Sequence, residues 1–395
     1  MILSSILLSG CSSSIDQMEE TYVPPEPQGE THPVSPERYA HLTKGINLAF
    51  WFWLPQTEEE NDIQSRFSDA DFNYLVKAGF TFVRLPIDLG YLLDEEDADL
   101  INDAHLAEVD TAIDRLLDTG LAVVVDIHST ASIEDDSPVF SERLENGSDF
   151  LPTFLLFWEN FARHLSTRDP DQVFLELLNE PVFENDPEDW PPILTQVAAA
   201  ARHGAPEHTL LVSGTSWSGI DGLLMLDPLP DKNVIYYFHF YEPFPFTHQG
   251  ADWAGPEVLT LHDIPYPSSP GAIQNALALA GSNRDQQTIT DYGDESWDYD
   301  KILGRIQLAA GWAKRNNAWL LCDEFGAYGE TIPSAQRATW VRDVRSALES
   351  LGIGWAMWEY DGDFALATRE QTPAGLVINP DNHLLDALGL EPVSQ

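Results

Sequence analysis

Val173-Phe174-Leu175-Glu176-Leu177-Leu178-Asn179-Glu180-Pro181 is an apolar run that ends in an amide, a carboxylate and a proline. Apolar residues on both alternating positions indicate a strand covered on both faces, the condition of a parallel sheet under helices. Pro181 cannot donate to a ladder, so the strand is expected to end there. Glu180 is thereby placed at the C-terminal lip of a strand, where α/β proteins assemble their chemistry. A second such run, Trp319-Leu320-Leu321-Cys322-Asp323-Glu324-Phe325-Gly326, carries a glutamate near its end. Glu180 and Glu324 are expected to face each other across one site.

Working outward, six more strands are expected at 43–49, 80–87, 121–127, 209–214, 233–240 and 353–359, with the two quoted runs at 173–179 and 318–324. Helical patterns separate many of them. Ser68 and Asp69 can cap a helix carrying Phe72, Leu75 and Val76 that stops at Gly79. Leu106, Val109, Ile113, Leu116 and Leu117 form a stripe at helical spacing before Gly120. Phe154 to Leu165, Ile193 to Ala201 and Ile302 to Ala313 read likewise, and Ser334 can cap a helix through Trp340, Val344 and Leu348. Eight alternating units predict an α/β fold of one closed (β/α)8 TIM barrel. An open doubly wound sheet is the competing architecture, but no glycine-rich turn follows the first strand. A long insertion at about 242–299 follows the sixth strand and should lie on the catalytic face as a subdomain or lid. The catalytic domain is expected to span 37–395.

The formal charge of −45 argues against nucleic acid as a partner, because phosphate binding needs Lys and Arg. Such a surface resists association through self-repulsion, and a monomer is expected. Residues 1–11 are short and apolar and end in Leu8-Ser9-Gly10-Cys11. They resemble a bacterial lipoprotein signal with Cys11 as the lipidated residue; an ordinary cleaved secretory signal is the alternative. Residues 12–36, rich in Ser, Glu, Pro and Gln, read as a flexible tether. Both readings imply export, to the outer membrane or surface of a Gram-negative cell or into the medium, with membrane contact only through the lipid. Cys11 and Cys322 are the two cysteines, too few for a disulfide framework or a cysteine zinc site, and Cys322 reads as a buried thiol.

Seven of the eight strands carry a polar or aromatic group near the same end. These are Arg84, His128, Asn179 with Glu180, His239 with Tyr241, Glu324 and Trp358, with Trp217 following the fifth strand. Each alone has an ordinary structural explanation: a solvated carboxylate, a surface arginine, a hydrogen-bonded histidine, a core tryptophan. Their shared placement is what chance does not supply. Two carboxyl groups in different surroundings suit glycosidic cleavage, which needs one proton donor and one ionised group beside an oxocarbenium-like carbon. Arg84 and Tyr241 can hold Glu324 ionised, and His239 can bond Glu180. Asn179 is placed for a sugar 2-hydroxyl, and Trp358 and Trp217 offer flat faces for pyranose rings. A metal-dependent alternative would draw on Asp126, His128 and His239, but the first strand lacks a His-x-His pair. A non-catalytic carbohydrate-binding lipoprotein is a third reading, and the presence of both glutamates argues against it.

Leu178-Asn179-Glu180-Pro181 and Asp323-Glu324-Phe325-Gly326 resemble the acid/base and nucleophile motifs of glycoside hydrolase family 5, with Arg84, His128, His239, Tyr241 and Trp358 in matching order. The resemblance runs from about residue 38 to 390. It implies a retaining double displacement on a β-linked polysaccharide or oligosaccharide, with Glu180 as acid/base and Glu324 as nucleophile and no cofactor. The segment from Val234 to Trp253 resembles bacterial β-1,4-glucanases of the family, so an endo-β-1,4-glucanase is expected, with β-mannanase or glucomannanase as alternatives. Trp253 joins the substrate-binding candidates. The opening Gly45-Ile46-Asn47-Leu48-Ala49-Phe50-Trp51-Phe52-Trp53 departs from the family's Gly-Ile-Asn-Leu-Gly-Asn form, which leaves Trp51 or Trp53 to line a minus subsite.

Overall fold

The computed structural model describes residues 33–54, 63–128, 143–145, 149–183, 185–373 and 375–393. Cys11 and the expected signal segment lie outside these residues, as does the tether up to residue 32. Eight parallel strands close into a barrel in chain order. They are β1 (Lys44–Asn47), β2 (Phe82–Asp88), β3 (Ala122–His128), β4 (Val173–Glu176), β5 (Leu210–Val212), β6 (Val234–Phe240), β7 (Trp319–Phe325) and β8 (Gly354–Met357). β1 pairs with both β2 and β8, which completes the ring. The closed form replaces the doubly wound alternative.

A helix follows each strand on the outside: α1 (Asp69–Ala78), α2 (Asp103–Asp118), α3 (Leu151–Leu165), α4 (Trp190–Gly204), α5 (Ile220–Met225), α6 (Tyr299–Asn316), α7 (Ser334–Ser350) and α8 (Asn382–Ala387). At the start of α1, Ser68 and Asp71 form a capping box, and Gly79 ends the helix at φ 105°. The sequence expectation for α7 shifts by one residue. Pro333 caps it, while Ser334 lies in its first turn and donates through Oγ to Asp381 at 2.5 Å. An antiparallel ribbon, β9 (Ala367–Thr372) with β10 (Gly375–Pro380), stands between β8 and α8. It escapes a search for apolar strands because its outer residues are polar and exposed. The insertion after β6 is a packed subdomain with helices at Gln274–Leu279 and Asn283–Glu295. It buries Phe246, Ile264, Tyr266, Tyr292 and Trp297 against the main core.

The barrel interior changes character along its axis. Its lower part is a separate apolar cluster that includes Tyr39, Leu42, Phe82, Val124, Phe174, Leu211, Ile235, Tyr237 and Leu321. Gly45 belongs to this layer because a Cβ there would come within 2.2 Å of the Phe82 ring. Side chains alternate along a strand, so the same inward rows continue upward. Phe82 leads to Arg84, Val124 to Asp126 and His128, Phe174 to Glu176, and Tyr237 to His239. The outward rows, such as Val83, Leu85, Val123, Val125 and Leu175, pack in the core that contains the helices' buried faces.

Candidate active site

Arg84 is wholly buried at the top of this inner column. Its guanidinium grips Glu176 with two bonds, Nε to Oε2 at 2.7 Å and one terminal nitrogen to Oε1 at 2.6 Å. It also donates to Glu324 Oε1 at 2.6 Å, Asn179 Oδ1 at 2.8 Å and Asn47 Oδ1 at 3.1 Å, and lies 3.0 Å from Asp126. Burial pushes Arg84 toward losing its proton, but Asp126, Glu176 and Glu324 outweigh that and hold it charged. Against the same arginine, burial still pushes Asp126 up to about 7 and raises Glu176. One cation cannot hold every facing carboxyl ionised in a closed barrel.

Above this layer the two glutamates sit in different surroundings. Glu324 accepts from Arg84 on Oε1 and from the Tyr241 hydroxyl on Oε2 at 2.8 Å. Burial and the Glu324 charge both push the Tyr241 phenol well up, so it stays a donor. Glu180 lies beyond the end of the strand. β4 pairing stops at Glu176, three residues before the expected end, and Asn179 N then bonds Ile127 O at 2.9 Å. Glu180 itself adopts φ 44°, a left-handed conformation unusual for a side chain of this size and a form of strain found at functional sites. Burial raises its carboxyl to about 7, with Glu176 adding and Arg84 opposing. His239 Nδ1 lies 2.8 Å from Glu180 Oε1 and 3.4 Å from Glu324 Oε2. An oxygen of each glutamate lies within 4.8 Å of the other.

Hydrogen bonding fixes the orientation of His128. Asn179 spends its Oδ1 on Arg84, so its Nδ2 faces His128 Nε2 at 3.3 Å as a donor. His128 Nδ1 then donates to Asp126 Oδ2 at 2.6 Å. Burial lowers this imidazole to about 3, in keeping with a neutral ring. Trp358 stacks on it at 5.7 Å between ring centres, and Trp53 packs against both rings. Trp217 is 49% exposed on a turn where Ser216, Trp217 and Ser218 all have φ between 53° and 59°. Trp253, 45% exposed, comes from the insertion and packs against His248 and Phe364, which also touch Tyr241.

The structure thus brings together Arg84, His128, Asn179, Glu180, His239, Tyr241, Glu324 and Trp358, and sets Trp253 beside them. Trp51 is a correction. It is fully buried, donates to Ile63 O at 2.7 Å and packs on Phe52, Phe67 and Phe72. Trp53, two residues on, is the one beside the site. Glu176, Asp323 and Asn47 also belong to the site although the sequence did not single them out. The signal was available for Glu176, which is two residues from the inward Phe174. Among the described residues, Asp126, His128 and His239 do not converge on a common point; the trios that do are Glu180–His239–Glu324 and Glu176–His239–Asp323. Hydrogen bonds already made within the protein account for the first trio, and Arg84 bonds Glu176 in the second.

The sequence profile of the family "Cellulase (glycosyl hydrolase family 5)" matches residues 43–363. The chain belongs to glycoside hydrolase family 5. Endoglucanase 3 of Fibrobacter succinogenes is 26% identical over 362 residues, covering 88% of this chain. The chain spans about half, 53%, of that relative's length. Endoglucanase C of Acetivibrio thermocellus is 25% identical, over 83% of this chain and 94% of its own. Among solved structures, Cel5A of Thermotoga maritima in complex with mannotriose has a TM-score of 0.67 at 26% identity. It covers 89% of this chain and 99% of its own. Asn179-Glu180-Pro181 and Glu324-Phe325-Gly326 both lie within the matched residues, at the barrel's C-terminal face.

Proposed function

We propose that this family 5 chain is a retaining endo-β-1,4-glucanase that works by double displacement. Glu180 protonates the leaving oxygen while Glu324 attacks the anomeric carbon; Glu180 then takes a proton from the water that releases the sugar. The observation that carries this reading is the unequal environment of two adjacent carboxyls. Glu324 accepts from Arg84 and Tyr241, as a nucleophilic carboxylate requires. Glu180 is raised to about 7 by burial, as a proton donor near neutrality requires. Their approach to within 4.8 Å supports retention, since a retaining pair sits at ~5–5.5 Å and an inverting pair must leave room for water. Asn179 has one amide N–H left after bonding His128, available to a sugar 2-hydroxyl.

The named endoglucanases among the relatives support glucan as substrate. β-Mannan is the second reading, because Cel5A of Thermotoga maritima has been solved with cellobiose and with mannotriose. Glu180→Gln and Glu324→Gln are each expected to lower kcat on carboxymethylcellulose or glucomannan by at least ~10³-fold, in line with losing a proton donor or a nucleophile. Full activity in either variant sinks the mechanism. Product sizing on cellulose, glucomannan and mannan decides the substrate.

A further inference from the structure

Among the buried polar atoms at the site that form no hydrogen bond are His239 Nε2 and both carboxyl oxygens of Asp323, with Asp126 Oδ1. Asp323 is fully buried on β7. Its Oδ1 lies 3.5 Å from His239 Nε2, and its Oδ2 lies 3.8 Å from Arg84 Nε. The opposite nitrogen of the same imidazole, Nδ1, faces Glu180 and Glu324. One histidine therefore stands between Asp323 on one side and the paired glutamates on the other.

The strand geometry makes this possible. Tyr237 pairs with Leu321, but His239 pairs with Glu324, so Phe238 stands opposite both Cys322 and Asp323. This is a β-bulge, and it breaks the alternation that would send Asp323 and Glu324 to opposite faces. Both carboxyls consequently reach His239.

Proton counting settles the roles. Asp126, Glu176, Asp323 and Glu324 all face one guanidinium inside a closed barrel. Not all can be ionised, and Asp323 is the one without a hydrogen bond to Arg84 or to any other group. Burial and the neighbouring Glu176 push its carboxyl well up, so it carries a proton. Burial lowers His239 to about 4, so the ring is neutral and has one N–H. That hydrogen belongs on Nδ1, because the Glu324 carboxylate and Glu180 Oε1 are the acceptors there. Nε2 is left as a bare lone pair in the buried interior, and a carboxylic O–H complements it.

We propose that Asp323 is a positioning residue whose protonated carboxyl donates to His239 Nε2, fixes Nδ1–H toward Glu180 Oε1, and so leaves the acidic proton of Glu180 on Oε2. An oxygen that accepts Nδ1–H cannot also direct its own proton there, so the proton to be transferred lies on the oxygen free to meet the leaving group. This rests on the assignment of Glu180 as acid/base. The charged and titratable groups around the pair are Arg84, Asp126, His128, Glu176, Glu180, Tyr237, Cys322 and Glu324, contributed from β2, β3, β4, the turn after β4, β6 and β7.

The test uses the intact chain. Nitrogen-15 NMR of histidine-labelled protein, with His239 assigned by its loss in His239→Gln, reads the tautomer without substrate. The expected signature is a protonated Nδ1 and a bare Nε2. Asp323→Ala is expected to lower kcat by about 10- to 100-fold, part of the ~10²–10⁴ that general acid catalysis contributes, with KM unchanged. Asp323→Asn places an amide N–H at the same point and is expected to recover most of that loss. An Nε2–H tautomer in the wild-type protein overturns the proposal, as does wild-type kcat in Asp323→Ala. The tautomer is read independently of turnover, so a failed glucanase assignment would be seen in Glu180→Gln and Glu324→Gln while the Asp323–His239 contact still stood.

Discussion

Arg84→Met offers a quantitative test of the inner column. Methionine fills much of the same space, so the main loss is charge rather than volume. Three carboxyl groups, Glu176, Glu324 and Asp126, lie within 3.0 Å of the guanidinium and would then face one another without a cation. Removing one partner of a buried ion pair costs about 3–5 kcal/mol. The carboxyls can escape that cost by taking up protons. Protonating one group costs about 1.4 kcal/mol for each unit by which the pH exceeds its unfolded pKa, near 4. That is ~4 kcal/mol at pH 7 and ~1.4 kcal/mol at pH 5 for each proton. The folded variant binds more protons than its unfolded chain, so its stability must fall as pH rises above the unfolded carboxyl range. Urea unfolding of both proteins at about pH 5 and about pH 7.5, in strong salt to screen the acidic surface, measures the difference. If two carboxyls are affected, the variant should lose about 3 kcal/mol at the lower pH and about 10 kcal/mol, most of a typical 5–15 kcal/mol stability, at the higher one. An equal loss at the two pH values would refute the account, because it would mean that packing and not charge holds Arg84 in place.

Two further outcomes follow from the site. As the proposed acid, Glu180 would have to be protonated for the first step, and burial raises it to about 7, so kcat/KM should fall about tenfold per pH unit above that point; a basic limb below pH ~5 would exclude Glu180 as the acid. The two tryptophans of the opening loop should separate cleanly. Trp51→Ala should cost about 3–5 kcal/mol of stability and leave KM alone, whereas Trp53→Ala should raise KM, as read by denaturation and by kinetics on soluble glucan; a KM effect confined to Trp51→Ala would reverse the assignment.

The barrel was readable because its strands are local apolar runs and its helices carry their own start and stop residues, as Ser68 and Gly79 do for α1. Seven of the eight site residues were readable for a related reason: each lies near or just beyond a strand end, so the fold alone brings them to one face, whereas Arg84 sits within β2 and reaches the site from inside the barrel. The column beneath them was harder to see. Glu176 looks like an interruption in an apolar run until the strand is given an inside, and only barrel closure sets it 2.6 Å from an arginine two strands away. Trp51 and Trp53 are both inward-leaning aromatics in sequence, and the choice between core and site depends on how the loop after β1 turns.

Asp323 shows where local reasoning stops. Counting by two from the inward Leu321 puts Asp323 inside and Glu324 outside, yet the motif requires Glu324 inside. Periodicity alone would force a choice between them. The bulge at Cys322 and Asp323 removes the conflict by spending an extra residue on β7, so that both carboxyls point inward. A bulge of this kind is set by the register with β6 and leaves no mark in the residues of β7 themselves. It turns a paired Asp-Glu from alternating neighbours into two acids on one side of His239, and the protonation pattern of the site follows from that placement.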